Sequence, residues 1–229
     1  MTRIKVLSLA LVAIFAMGVM TSSAMAAKIS TNLANVNLQG EQPVGTNDVF
    51  SVDGSNVTCE NATYNSNGAV ANGATAANLH PSYANCTAFG FIGANVNTAN
   101  CNYEGTVDTA NATYNEANMT WNAAHIIIKC NVNPITINAG SGTCVATVGN
   151  TTNPTTIGGS TLHFGNTTNE PMDFHIQATN VVVPVQKNAD NFGCPFNGTG
   201  ATNGTYNGLA TLRAHDPTNN ALVGVTVVP

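Results

Sequence analysis

Phe50-Ser51-Val52-Asp53-Gly54-Ser55-Asn56-Val57-Thr58-Cys59 is the stretch that decides the fold class. Two short runs rich in β-branched and aromatic residues flank Asp53-Gly54, and Asp-Gly between such runs is a strong hairpin signal. Both turn positions of the tightest hairpins need a positive φ, which Gly adopts freely and Asp tolerates. Outward from this hairpin the pattern repeats. Asn67-Gly68, Asn72-Gly73, Asn197-Gly198, Asn203-Gly204 and Asn207-Gly208 are read as further tight turns. Between the turns lie candidate strands at Cys86–Ile92, Cys101–Val107, Met119–Trp121, His125–Cys130, Pro134–Asn138, Cys144–Val148, Thr161–Phe164, Met172–Ala178, Asn180–Val185, Thr205–Arg213 and Leu222–Val228. Several alternate: Met172, Phe174 and Ile176 share one face, as do Ile135 and Ile137. Only Ala69–Leu79 approaches a helical pattern, and Asn72-Gly73 interrupts it, so at most one short helix is expected. Many short strands with regular turns predict an all-β, sandwich-like architecture, as one large or two small packed domains. The candidate seam is Asn131–Pro134, dividing a region 27–133 with four cysteines from a region 134–229 with two.

The first 26 residues read as a secretory signal. Arg3 and Lys5 supply the positive start, Val6–Met20 the apolar core, and Ala24-Met25-Ala26 the small-residue cleavage site. The core is about 15 residues, short of the roughly 20 that span a bilayer. No membrane span is expected in the mature chain, and the expected location is extracellular. Without Arg3 and Lys5, four Lys and Arg face eleven Asp and Glu, a net charge of −7. Lys28, Lys129, Lys187 and Arg213 cannot build the basic patch that nucleic acid requires. Charged residues make up 7% of the chain, far below the roughly 25% usual in soluble proteins, and Asn, Thr, Ala and Gly take their place. The frequent Asn-x-Ser/Thr patterns follow from that composition.

Six cysteines in an exported chain imply a disulfide framework. They can pair in many ways; nearest-neighbour closure gives Cys59–Cys86, Cys101–Cys130 and Cys144–Cys194. No two are spaced as a zinc knuckle or a redox pair. With 6% aromatic residues and few ion pairs to draw on, the staples are read as structural.

The run Leu79-His80-Pro81-Ser82-Tyr83-Ala84-Asn85-Cys86-Thr87-Ala88-Phe89-Gly90 is followed by Ala94-Asn95-Val96, Cys101-Asn102-Tyr103, Cys130, Ile135-Thr136-Ile137, Cys144–Val148, Cys194 and Asn203–Gly208. This order resembles an uncharacterised group of exported, six-cysteine, β-rich actinobacterial proteins. The resemblance is most specific over 79–103. It implies a β-rich extracellular domain and carries no activity and no functional residues.

Tests for chemistry return little. A G-x-S-x-G elbow, an H-E-x-x-H zinc motif and a phosphate-binding glycine loop are all lacking. His163 and His175 sit in neighbouring candidate strands without an evident third ligand. Asp190-Asn191 and Asp53-Gly54-Ser55-Asn56 are better explained by turns than by calcium. No cofactor or metal is called for, and the reading leans away from an enzyme. It favours a secreted, non-catalytic surface or matrix protein that contacts a cell-wall or extracellular glycan or protein. The alternative is a carbohydrate-binding protein using Trp121, Tyr83 and Tyr103 as an aromatic platform. A secreted hydrolase with an unrecognised pair of carboxylates ranks third.

Overall fold

The computed structural model describes residues 27–107, 111–140, 144–168, 171–189, 194, 196 and 198–229. The expected signal segment 1–26 and Asp190-Asn191 lie outside the described residues. The strands are β1 (Lys28–Thr31), β2 (Asn35–Glu41), β3 (Asp48–Val52), β4 (Ser55–Ser66), β5 (Val70–Ala71), β6 (Ala77–Ala88), β7 (Ile92–Asn97), β8 (Cys101–Val107), β9 (Tyr114–Asn115) and β10 (Thr120–Trp121). They continue with β11 (Ala124–Cys130), β12 (Ile135–Ala139), β13 (Cys144–Val148), β14 (Thr155–Gly159), β15 (Leu162–Asn166), β16 (Phe174–Ala189), β17 (Gly198–His215), β18 (Leu222–Val223) and β19 (Val225–Val228). No helix occurs among the described residues; the Ala69–Leu79 stretch holds β5 and the start of β6 instead.

The sheet closes on itself, so the sandwich expectation is corrected to an eight-stranded barrel with extra strands. Several of its staves are broken. Going round, they are β2 with β3, β4, β6, β7 with β8, β11 with β12, β13 to β15, β16, and β17. Closure comes from β17 pairing with both β2, from Thr211↔Glu41 to His215↔Asn37, and β3, from Gly204↔Val52 to Asn207↔Val49. Residue alternation cannot tell a barrel from a sandwich, because both have one buried face. The choice lies in this pairing of strands far apart in the chain. Pairs β7–β12 and β11–β14 also cross the Asn131–Pro134 segment, so both cysteine regions contribute to one wall. A second, two-stranded sheet of β1 and β19 lies at one end.

Alternation inside the strands is clear. On β16, Val181, Val183 and Val185 are buried, while Val182, Pro184 and Gln186 are exposed. Apolar residues therefore point into the barrel, where a membrane-spanning channel barrel has a polar lumen. No helix among the described residues is long and apolar enough to cross a membrane.

The Asp53-Gly54 hairpin forms as read: Val52 pairs with Ser55, and Asp53 and Gly54 have φ of 49° and 78°. Gly68 and Gly73 also take positive φ in turns. Two other turn readings are corrected. Asn203-Gly204 and Asn207-Gly208 lie inside β17, and there glycine serves close packing. A Cβ on Gly204 would stand 2.7 Å from the Ser51 carbonyl oxygen. The expected strand Cys86–Ile92 is broken by a turn at Phe89-Gly90, where φ is 53° and 78°. The expected strands Met172–Ala178 and Asn180–Val185 merge into β16 through a register shift between Ala178 and Val181.

All six cysteines pair as nearest-neighbour closure predicts. Cys59 faces Cys86 across β4 and β6, and Cys101 faces Cys130 across β8 and β11. Cys144–Cys194 ties β13 to the segment between β16 and β17. Close by, Phe196 is fully buried with its ring edge-on to Phe50 at 6.3 Å. Each bridge contributes on the order of 3 kcal/mol by restricting the unfolded chain. Three disulfides are in keeping with an oxidising, extracellular compartment. Three of the four Lys and Arg among the described residues sit in ion pairs: Lys129 with Glu104 at 2.7 Å, Lys187 with Asp53, and Arg213 with Glu41.

Candidate functional site

Four of the five tyrosines converge inside the barrel on one carboxylate. Asp48 opens β3 with its side chain turned inward, and 2% of it is exposed. Tyr64, on β4, donates a hydrogen bond to Asp48 Oδ2 at 2.8 Å. Its hydroxyl also lies 2.9 Å from that of Tyr206 on β17. The hydroxyls of Tyr83 on β6 and Tyr103 on β8 approach at 3.4 Å, and the Tyr64 and Tyr83 rings meet edge to face at 6.0 Å. Gly208 on β17 makes room for the group: a Cβ there would lie 2.1 Å from Asp48 Oδ1 and 2.5 Å from the Tyr206 hydroxyl. Gly40 on β2 does the same for Tyr64, whose Cβ an added methyl would meet at 3.0 Å.

Burial dominates the electrostatics. Desolvation pushes the Asp48 carboxyl up to about 6, against the opposing hydrogen bond from Tyr64 and smaller contributions from Tyr206 and the Leu209 amide. Oδ1 accepts no hydrogen bond of normal geometry. Burial likewise pushes all four phenols well above their ordinary range. The cluster adjoins an apolar cavity of about 70 Å³ walled by residues such as Val57, Val96, Ile128, Ile137 and Val183. That is about half the volume of a cavity known to admit benzene. The arrangement can hold a proton on Asp48 and a few small molecules the size of water, but not a substrate of ordinary size.

The residues proposed from sequence as an aromatic platform fall elsewhere than expected. Trp121 on β10 is 4% exposed, with its ring 5.2 Å from that of Tyr114 and its indole N–H unpartnered. Tyr83 and Tyr103 direct their hydroxyls toward each other in the interior cluster. Trp121 is therefore closed off, while Tyr83 and Tyr103 are half-buried on inward positions of their strands. His163 pairs in register with Gln177, and His175 with Gly165, so the two imidazoles are offset along β15 and β16. Burial lowers the His175 pKa, with Asp173 opposing. No group of three or more His, Cys, Asp or Glu suited to a metal occurs among the described residues.

Sequence reasoning missed the exposed aromatic pair. The β6–β7 hairpin turns at Phe89-Gly90-Phe91, leaving Phe89 46% and Phe91 79% exposed. Backbone hydrogen bonds fix the tip: Phe89 N–H donates to the Asn56 carbonyl at 3.3 Å, and Phe91 N–H to that of Ala88 at 3.2 Å. The signal was present in Gly90, but five apolar-rich residues in a row read more naturally as a buried strand. No family model, curated protein or solved structure matches this chain.

Proposed function

We propose that this is a secreted, non-catalytic surface or matrix protein that engages its partner through the Phe89–Phe91 tip. One observation carries the reading: two phenylalanine rings stand in water on a backbone held by hydrogen bonds. The interior supports it from the other side, since the one carboxylate framed by tyrosines adjoins a cavity too small for a substrate. Export rests on the signal-like start and the three disulfides, and cleavage after Ala26 belongs to the same proposal. So does kinship with the six-cysteine exported group, which assigns no residue a role. A glycan-binding version would have to use Phe89 and Phe91, because Trp121 is inside.

The test is retention on cell-wall material and on a glycan array by the oxidised mature chain. The wild type should bind, and F89S/F91S should lose at least about tenfold in affinity, or roughly 1.4 kcal/mol. Its thermal melt should not change. Equal binding by the variant, or release of soluble sugar by the wild type, would overturn the reading.

A further inference from the structure

Five Asn-Gly pairs punctuate the chain, and the fold places the four that lie wholly among the described residues in different surroundings. In any such pair the glycine nitrogen can reach the asparagine side-chain carbonyl, because no Cβ on the following residue stands in the way. The attack needs a backbone N–H that can give up its proton and a side-chain amide free to swing toward it. At Asn72-Gly73 neither condition holds. The Gly73 N–H donates to the Ile29 carbonyl at 2.7 Å, and Asn72 Oδ1 accepts from the Thr31 N–H at 3.2 Å. Asn207 is clasped to Asn180, whose N–H donates to Asn207 Oδ1 at 2.8 Å and whose Oδ1 accepts from Asn207 Nδ2 at 3.2 Å. Gly204, which follows Asn203, is buried and laddered on both sides, to Val183 and to Val52, so its N–H is held in the sheet. Asn67-Gly68 differs. Both residues are exposed in the turn between β4 and β5. The Asn67 N–H anchors that turn on the Asn78 carbonyl at 3.0 Å. Among the described residues, neither the Asn67 side-chain amide nor the Gly68 N–H has a hydrogen-bond partner, and a Cβ on Gly68 would meet nothing within 4 Å.

We propose that Asn67 is a self-modification site, where the folded protein deamidates spontaneously while Asn72, Asn203 and Asn207 are protected. This does not depend on what the Phe89–Phe91 tip contacts. The Gly68 nitrogen loses its proton to solvent base and attacks Asn67 Cγ. A C–N bond forms, the bond from Cγ to the side-chain nitrogen breaks, and that nitrogen leaves as ammonia. Water then opens the five-membered imide at either carbonyl, which gives an aspartyl or a β-linked isoaspartyl residue. Both products add a carboxylate to a chain that is already net negative. The isoaspartyl form also inserts an extra backbone carbon just before β5, whose buried Val70 pairs with Val36 of β2. Relative rates follow from the hydrogen bonds that each attack must break. One such bond slows the step about fivefold, and two slow it about twenty- to thirtyfold. Asn203 should therefore react about fivefold more slowly than Asn67, and Asn72 and Asn207 about twenty- to thirtyfold more slowly.

The test is a time course of the oxidised mature chain at mildly alkaline pH in heavy-oxygen water, read by peptide-mapping mass spectrometry. Label taken up from solvent marks conversion that occurred during the incubation. In the folded chain, conversion at Asn67 should outrun that at Asn203 and, by a wider margin, that at Asn72 and Asn207, with aspartyl and isoaspartyl products both present. In the same chain reduced and unfolded in urea, the four rates should converge, since the Asn-Gly pair is common to all. N180G keeps a residue that accepts the positive φ at this position but deletes the acceptor for Asn207 Nδ2. It should speed conversion at Asn207 about fivefold. Folded-chain conversion at Asn67 no faster than at the other three would overturn the proposal. A lead for Asn67 that persists in urea would do the same, because the selectivity would then come from neighbouring sequence and not from the fold. An unchanged Asn207 rate in N180G would remove the hydrogen-bond account of protection.

Discussion

Replacing Asp48 by Asn should stabilise this protein at neutral pH and do almost nothing in acid. The Asp48 carboxyl has a folded pKa of about 6 against an ordinary value of 3.8. Between those values the folded state binds more protons than the unfolded state, so stability falls as pH rises through that window. Below about pH 4 both states are protonated and the penalty vanishes. Above about pH 6 it is complete. A shift of roughly 2 units at 1.36 kcal/mol per unit amounts to about 3 kcal/mol. Asn has nearly the same shape and still offers an oxygen to the Tyr64 hydroxyl, but it carries no charge to desolvate. We therefore expect D48N to exceed the wild type by up to about 3 kcal/mol at pH 7.5, or about 6–12 °C in melting temperature for a chain of this size. At pH 4 the two should agree within about 0.5 kcal/mol. Urea denaturation of the oxidised proteins at half-unit steps from pH 4 to 7.5 measures this directly. A difference between variant and wild type that is flat across the range would refute the reasoning, as would one that shrinks as pH rises. Either result would mean that Asp48 is solvated or that its charge is matched in the folded barrel.

Three further outcomes follow from the geometry. G208A should lower stability by about 1–3 kcal/mol, because its methyl would stand 2.1 Å from Asp48 Oδ1; a neutral result in chemical denaturation would show that the cluster is loosely packed. Replacing Cys59 and Cys86 together by Ser should remove on the order of 3 kcal/mol and lower the urea midpoint, and an unchanged midpoint would deny that bridge a structural role. F91S, at a side chain already 79% exposed, should leave the melting curve within about 0.5 kcal/mol of wild type; a larger loss would mean that the ring is packed rather than presented.

Local chemistry was legible in this chain, and distant geometry was not. The Asp53-Gly54 hairpin follows from the φ preferences of two adjacent residues. The all-β class follows from alternation within single strands. Nearest-neighbour closure, one of many possible pairings, matches all three disulfides; two of them, Cys59–Cys86 and Cys101–Cys130, are 27 and 29 residues apart and join adjoining antiparallel strands. What tertiary structure alone decided depends on residues far apart in the chain. Closure of the barrel requires β2 and β3 to meet β17, and no local pattern encodes that pairing. The same closure explains why Gly204 and Gly208, which look like turn residues, lie inside a strand: each faces a side chain or backbone from β3. It also gathers Tyr64, Tyr83, Tyr103 and Tyr206 around Asp48 and buries Trp121. A side chain's parity along its strand is written locally, but whether that parity faces a core or water is set only when the last stave meets the first.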